Sequence, residues 1–356
     1  MNLKSKIQSK LHNKYKEIET NEHKLSYLFL EITKKCNLNC LHCGSDCKSS
    51  INSPELTTDS WLKIIDYFHE TYSNSVAFII TGGEPLLHND LEIIGNKISN
   101  LKMHWGMVTN GLALTEQKLN SLIKSGIYSI TLSLDGLKNS HNKLRNNQYS
   151  FEKTLQALEN VSKSEIKFKD VVTCVYPDNL SQLDEIAEIL ISKKIPAWRL
   201  FRIFPSGRAA DNQNILLSFE QTLQMVNWIK VNKMKYLDKG LNINLSCEGW
   251  LPFDEDKKVR DNPFFCRAGI NIASILSDGT ITGCSNNHPT FYEGNILKDN
   301  FNFLWQNKFE KFRKKEWLEN TICIECEHIK NCNGNSVHLW NLENKKSNFC
   351  YVKDLK

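Results

Sequence analysis

Residues 27–43 read YLFLEITKKCNLNCLHC, an apolar run that ends in a polar step and then delivers Cys36, Cys40 and Cys43. The run at 27–32 has the length and composition of a buried strand, and Thr33, Lys34 and Lys35 end it. Three thiols spaced in this way on a loop can surround one metal centre. A [4Fe–4S] cube set in three cysteines keeps one iron without a protein ligand, and an open position on a soft metal is a place for chemistry. The same spacing also suits a zinc site completed by His42 or Cys47.

Five further runs, at 76–80, 105–108, 129–134, 171–175 and 198–204, read as strands. Between them Trp61, Ile64, Ile65 and Phe68 recur at helical spacing behind a Thr57 or Thr58 cap, and helices are expected near 89–101, 115–124, 150–163 and 181–193. Strand alternating with helix predicts an α/β fold, a parallel sheet closed into a barrel or left open. The second strand ends in Thr81-Gly82-Gly83-Glu84-Pro85, the third in Thr109-Asn110-Gly111 and the fourth in Ser133-Leu134-Asp135-Gly136. Paired glycines let backbone approach a ligand closely, and a carboxylate beside them can accept from an ammonium group. Each loop alone suits a simple turn. Together on one carboxyl edge, beside the cysteines, they mark where ligands bind.

Beyond residue 206 the alternation stops. A helix is expected at 218–237, a strand at 241–246, a hairpin at 272–284 turning on Asp278-Gly279, and a basic amphipathic helix at 301–318. The tail from Cys323 is poor in apolar residues and rich in cysteine, so metal rather than burial would hold it. Cys323 and Cys326 form a CxxC pair that fits a zinc ribbon as well as an iron–sulfur site.

Composition narrows the class. The chain has 356 residues, 40% hydrophobic and 24% charged, with a formal charge of +5, as an ordinary globular protein would. Lysines outnumber arginines 38 to 7, which speaks against dedicated nucleic-acid recognition. The Lys-rich amino terminus has no apolar signal core, and there is no run of apolar residues long enough to span a membrane. A cytoplasmic location with reduced thiols is therefore expected, and the twelve cysteines point to metal ligation rather than disulfides.

CNLNCLHC after the first strand and TGGEP after the second resemble the radical S-adenosylmethionine (radical SAM) superfamily, whose signature is CxxxCxxC followed by GGE. The resemblance spans about residues 26–205 and implies a partial (β/α)6 barrel with a [4Fe–4S] cluster on Cys36, Cys40 and Cys43. It further implies that S-adenosylmethionine chelates the fourth iron, with Gly82, Gly83 and Glu84 meeting its amino group and His42 near its adenine. Ser133 matches a cofactor-contacting position, and Arg145 either pairs with the cofactor carboxylate or forms a structural salt bridge. The implied reaction is reductive cleavage to a 5′-deoxyadenosyl radical that abstracts hydrogen from substrate, fed by a donor such as flavodoxin or ferredoxin.

Cys266, Cys284, Cys323, Cys326, Cys332 and Cys350 resemble the SPASM extension of that superfamily, which holds auxiliary iron–sulfur clusters. Six of its seven cysteines are present and Ser336 stands at the seventh. The resemblance implies one complete auxiliary cluster on Cys323, Cys326, Cys332 and Cys350. The second site keeps Cys266 and Cys284, Cys247 is close in sequence as a third thiolate, and Ser336 or His338 offers a weak fourth ligand; the alternatives are a three-cysteine cluster with an open position, a [2Fe–2S] form or no cluster. Cys174 reads as a small buried hydrophobe, and Cys47 receives no role. The expected organisation is an extension at 1–25, a radical SAM core at 26–205, a bridging region at 206–265 and a SPASM domain at 266–356.

SPASM-type enzymes mostly modify peptides or proteins, and the two cysteine stretches resemble a subgroup paired with small peptides or lipoproteins. Such a substrate is expected here, with a tetrapyrrole or other cofactor precursor as the alternative and a non-catalytic zinc or cluster protein as a third reading. The 25 or so residues before the first strand are too few for a leader-binding module, which predicts a separate leader-binding protein or recognition by the core. Asp254, Glu255, Asp256, Asp278 and Glu293 are candidate bases that nothing in the sequence ranks.

Overall fold

The computed structural model describes residues 3–47, 54–247 and 249–352. The six expected strands are present as β1 (Tyr27–Glu31), β2 (Ala77–Thr81), β3 (Trp105–Thr109), β4 (Ser129–Ser133), β5 (Phe168–Val175) and β6 (Ala197–Arg202). They lie in that spatial order and all pair in parallel, as right-handed crossovers through helices require. The helices are α1 (Leu3–Glu22), α2 (Thr58–Tyr72), α3 (Leu91–Asn100), α4 (Glu116–Lys124), α5 (Lys138–Arg145), α6 (Ser150–Lys163), α7 (Leu183–Ser192) and α8 (Phe219–Leu237). Helix α2 buries Trp61, Ile64, Ile65 and Phe68 behind an N-cap in which Thr57 accepts from Ser60 N. Helix α8 opens on a Ser218–Gln221 capping box.

The alternation does not stop at residue 206. Helix α8 leads to β7 (Asn242–Leu245), which adds to β6 as a seventh parallel strand. After α9 (Phe253–Val259), the expected hairpin forms from β8 (Ile272–Ile275) and β9 (Thr280–Thr282), with Gly279 at φ +88 in the turn. Its first strand pairs in parallel with β1, Tyr27 opposite Ile272, and β10 (Tyr292–Asn295) closes the far edge. One ten-stranded sheet therefore runs through the barrel and into the cysteine-rich part. This continuity escapes a sequence reading because β8 finds its partner some 245 residues earlier.

The expected helix at 301–318 is broken into α10 (Phe301–Asn307), α11 (Glu310–Arg313) and a 3-10 turn at Glu316–Asn320. Lys315, at φ +53, cannot continue a right-handed helix; its ammonium turns inward to the carbonyls of Asn333 and Asn335, just after α12 (Ile329–Cys332). A small apolar group, Leu144, Tyr176, Ile203, Ala209 and Ile215, sits apart from the main core and packs against Leu41 of the cysteine loop. Among the described residues no helix is long and apolar enough to cross a membrane.

Candidate active site

The loop after β1 is clamped by its neighbours. Ile32 N donates to the Thr81 carbonyl at 3.0 Å and Leu41 N to the Leu144 carbonyl at 2.9 Å. Arg208 reaches in from beyond β6, its backbone N donating to the Cys43 carbonyl at 3.0 Å and its Nε to the Cys40 carbonyl at 2.8 Å. Beside it, Gly207 sits at φ +54 where a Cβ would come within 2.4 Å of the Cys43 carbonyl oxygen. Cys40 is buried, and Cys36 and Cys43 are half-buried. Burial, joined by the charges of Cys40, Glu84 and Cys43, pushes Cys36 up to about 11, so these groups share one electrostatic neighbourhood. Cys47, unassigned from sequence, is buried and donates to Cys43, which holds that thiol below its ordinary value.

The donor set suits a thiolate-bound cluster. Arg145 Nη1 lies 3.8 Å from Cys40 Sγ, and a nearby guanidinium favours the thiolate that metal binding needs. A tetrahedral zinc would hold its sulfurs about 3.8 Å apart, given Zn–S bonds of about 2.3 Å. The three loop thiols do not all lie within 4.8 Å of one another. Among the described residues, the one His/Cys/Asp/Glu group tight enough for a single ion is His42, Asp135 and Cys174, within 4.8 Å of one another. Asp135 is already taken there by the Arg145 cation.

The end of β2 presses on the cysteine loop. Gly83 N donates to the Thr33 carbonyl at 2.7 Å and Glu84 N to the Lys35 carbonyl at 2.8 Å. A Cβ on Gly83 would sit 2.3 Å from the Lys35 oxygen, so the contact exists only with glycine, and Gly82 is equally close to Thr33. Glu84 is buried, and its carboxylate accepts from Thr109 Oγ1 at 2.7 Å, Leu86 N at 3.1 Å and Asn110 N at 2.8 Å. Burial pushes its pKa up and these donors work against that. One acceptor position on Oε2 is left over for a further donor. Asn110 Nδ2 donates in turn to Asn37 Oδ1 at 2.9 Å, tying the third loop to the first.

The fourth loop, one of those expected to border the ligand, holds a charge to which the sequence gives no role of its own. Asp135 is fully buried, and Arg145 binds its Oδ2 through Nε at 2.6 Å and Nη2 at 2.5 Å. Arg145 is thus a salt-bridge partner, the structural alternative for this residue. Asp135 N donates to His141 Nδ1 at 3.0 Å, and its Oδ1 accepts from Cys174 N at 2.8 Å. His42 lies with Nε2 3.9 Å from Asp135 Oδ2; burial drives it down to about 4, so it is neutral. Ser133 is buried at the end of β4. Half-buried Cys174 takes its place in the fifth strand between Asp135 and His42, not among core apolars alone.

The structure also gathers the later cysteines. Cys323 feels Cys350 and Cys326, and Cys332, pushed up to about 12 chiefly by burial, feels Cys350 and Cys323. Cys284, half-buried, is pushed up by burial and feels Cys266. Buried Lys315, which sequence reasoning missed, acts on Cys266, Cys332 and Cys323 alike. Ser336 is fully buried and donates to the Cys247 carbonyl at 3.0 Å, while Cys247 itself is exposed. His338 is driven down to about 4 by burial, and its Nε2 has no hydrogen-bond partner.

A cavity of about 750 Å³ opens where these parts meet. Its wall runs from Ser45 past Arg202 to Asn286 and His288 after Cys284, and on to His338. Glu31, buried at the end of β1, also lines it, and burial pushes its carboxyl above the usual range. The carboxylates singled out from sequence are engaged otherwise. Asp254 pairs with Lys257, Glu255 with Lys258, Asp256 with Arg260, and Asp278 accepts from Thr280 N. Glu293 rises to about 7 by burial, opposed by Lys311 and Arg313.

Family models match two stretches, the Radical SAM superfamily at residues 30–190 and the SPASM iron–sulfur cluster-binding domain at 266–327. An AdoMet-dependent heme synthase of Methanosarcina barkeri is 27% identical over 325 residues, covering 85% of this chain and 89% of that protein. Mycofactocin maturase MftC of Mycolicibacterium smegmatis is 31% identical over 313 residues, covering 85% and 76%. Among solved structures, anSMEcpe with bound AdoMet and the Cp18Cys peptide superposes with a TM-score of 0.71 at 18% identity, over 93% of this chain and 94% of that one. Signature loops, sheet order, clustered cysteines and relatives agree: the chain belongs to the radical SAM superfamily and is an enzyme of its SPASM branch, using a [4Fe–4S] cluster, S-adenosylmethionine and auxiliary iron–sulfur clusters.

Proposed function

We propose that this enzyme modifies a peptide or protein held in the 750 Å³ cavity, and the chemistry of the cavity wall carries that reading. Ser45, Gln213, Asn286, Asn287, Asn348 and His338 offer hydroxyl, amide and imidazole groups. These groups match the alternating donors and acceptors of peptide backbone, and Ile203, Leu216, Leu217, Leu276 and Trp340 on the same wall offer apolar ground for side chains. The peptide-handling names among the relatives, mycofactocin maturase and PqqA peptide cyclase, support it. The heme synthases keep a tetrapyrrole as the second reading.

Cys36, Cys40 and Cys43 hold the [4Fe–4S] cluster, which when bound supplies reducing electrons for cleaving S-adenosylmethionine. Glu84 uses its remaining acceptor position on the cofactor amino group, against backbone that Gly82 and Gly83 allow to come close. His42 and Ser133 border the cofactor, and Arg145 keeps Cys40 in a positive field from its seat on Asp135. Cys323, Cys326, Cys332 and Cys350 hold one auxiliary cluster. Cys266 and Cys284 hold the other, with Cys247 in place of the cysteine absent at Ser336. In the cavity, neutral His338 accepts or donates one hydrogen bond to substrate, and Glu31 is placed to take up a proton. Electrons come from a flavodoxin- or ferredoxin-type donor.

The test is anaerobic turnover of the reconstituted enzyme with the short peptides encoded beside its gene, and separately with iron-coproporphyrin III. A peptide mass change matched by 5′-deoxyadenosine supports the reading. Turnover of the porphyrin with all peptides unchanged overturns it in favour of the second.

A further inference from the structure

Helix α1 is seated on the body by its polar side. Ser5 Oγ donates to Asp254 Oδ1 at 2.5 Å, Asn13 Nδ2 to Asn331 Oδ1 at 2.7 Å and Lys16 Nζ to the Asn331 carbonyl at 2.6 Å. Glu19 accepts from Asn271 Nδ2 at 2.8 Å and pairs with Arg267. The opposite face carries Leu3, Ile7, Leu11 and Ile18, between 44% and 74% exposed, and at its margin Tyr15, 42% exposed, whose ring also meets Phe265 and whose hydroxyl accepts from Arg267 Nη2 at 3.1 Å. A surface helix ordinarily turns such a stripe inward. This one is inverted, and it lies outside both family-matched stretches.

We propose that this face is the interface between two copies of the chain, which pair through antiparallel α1 helices about a twofold axis at Leu11. An isologous interface must be self-complementary, and the stripe reads nearly the same from either end. With Leu11 facing Leu11, Ile7 meets the opposite Tyr15 and Leu3 the opposite Ile18.

Charge selects the same arrangement. From residue 3 to 16 every charged side chain is a lysine, whereas Glu17, Glu19 and Glu22 fill the end of the helix. Antiparallel pairing sets Lys4, Lys6 and Lys10 of each helix against residues 12–19 of the other, where Glu17 and Glu19 offset Lys14 and Lys16; parallel pairing would stack lysine on lysine. Lys4 and Glu22 are 18 residues apart, or five turns, and so share one flank, where each lies near the other's counterpart across the twofold. A lipid surface would attract the lysines but gain nothing from the glutamates. At about 100 Å² of exposed surface per side chain, the ten side chains bury on the order of 1,000 Å², where specific interfaces begin.

The mass of the reconstituted full chain in solution, by size exclusion with light scattering at micromolar concentration, decides this. Wild type is expected at the mass of two chains. Leu11→Glu, at an exposed site, is expected at one chain with the circular dichroism of the wild type and its 5′-deoxyadenosine formation intact. Lys4→Glu weakens the dimer several-fold and Lys4→Glu/Glu22→Lys restores it. A wild-type monomer, a dimer indifferent to Leu11→Glu, failure of the charge swap to restore pairing, or a monomer that sediments with phosphatidylglycerol vesicles overturns the proposal.

Discussion

Arg145 lies 2.6 Å from Asp135 Oδ2 and 3.8 Å from Cys40 Sγ, so one buried guanidinium serves a carboxylate and a thiol together. His141 belongs to the same knot, accepting from Asp135 N through Nδ1 and meeting Ser150 Oγ through Nε2 at 3.0 Å. Burial, with Asp135 opposing, drives His141 down to about 3, and burial with Arg202 drives His338 down to about 4. An unfolded histidine titrates near 6.5, so between that pH and 3–4 the unfolded chain binds more protons. The stability that neutral burial provides is full above pH 6.5 and lost as pH falls below it. Each histidine is expected to remove about 2 kcal/mol by pH 5, read as a fall in the urea midpoint that is smaller in His141→Gln. A salt bridge for Arg145 is one reading its sequence allows, but the partner is not legible there. Asp135 sits in a four-residue stretch that suits a turn, and Arg145, ten positions on, follows no helix or strand period that would link the two.

The end of β2 shows an element whose sequence and geometry agree. Thr81 to Glu84 turns against residues 33–35 so tightly that a Cβ on Gly83 would lie 2.3 Å from backbone oxygen, which cannot move aside as a side-chain tip can. Gly83→Ala is expected to cost about 1–3 kcal/mol and to weaken S-adenosylmethionine binding at least tenfold, measured by equilibrium dialysis on the iron-loaded protein. Binding at wild-type strength would separate the turn from the cofactor. The six strands and the helices between them were legible because each has a strong period of its own. Helix α1 is hidden in a Lys-rich stretch whose apolar residues, spaced by about four, are too few and too exposed to signal a core-facing helix. The break before Glu316–Asn320 was hidden too, because what breaks it is a tertiary bond from Lys315 to carbonyls some twenty residues ahead.

At the scale of the molecule, one sheet carries both cysteine-rich regions. Because β8 pairs with β1, the turn after Cys284 and the loop after Glu31 border the same cavity, and the C-terminal segment with His338 closes it. The cysteine groups could be recognised from spacing, while their convergence on a common space depends on strand pairing across most of the chain. The central claim is that Cys36, Cys40 and Cys43 make this an S-adenosylmethionine-cleaving centre. The most direct measurement is 5′-deoxyadenosine formed from S-adenosylmethionine by the reconstituted, dithionite-reduced chain, wild type beside Cys40→Ala. Formation by the wild type and its loss in Cys40→Ala, with the auxiliary iron retained, is the predicted result. An iron-replete wild type that forms none, or a Cys40→Ala chain that forms as much, would contradict it.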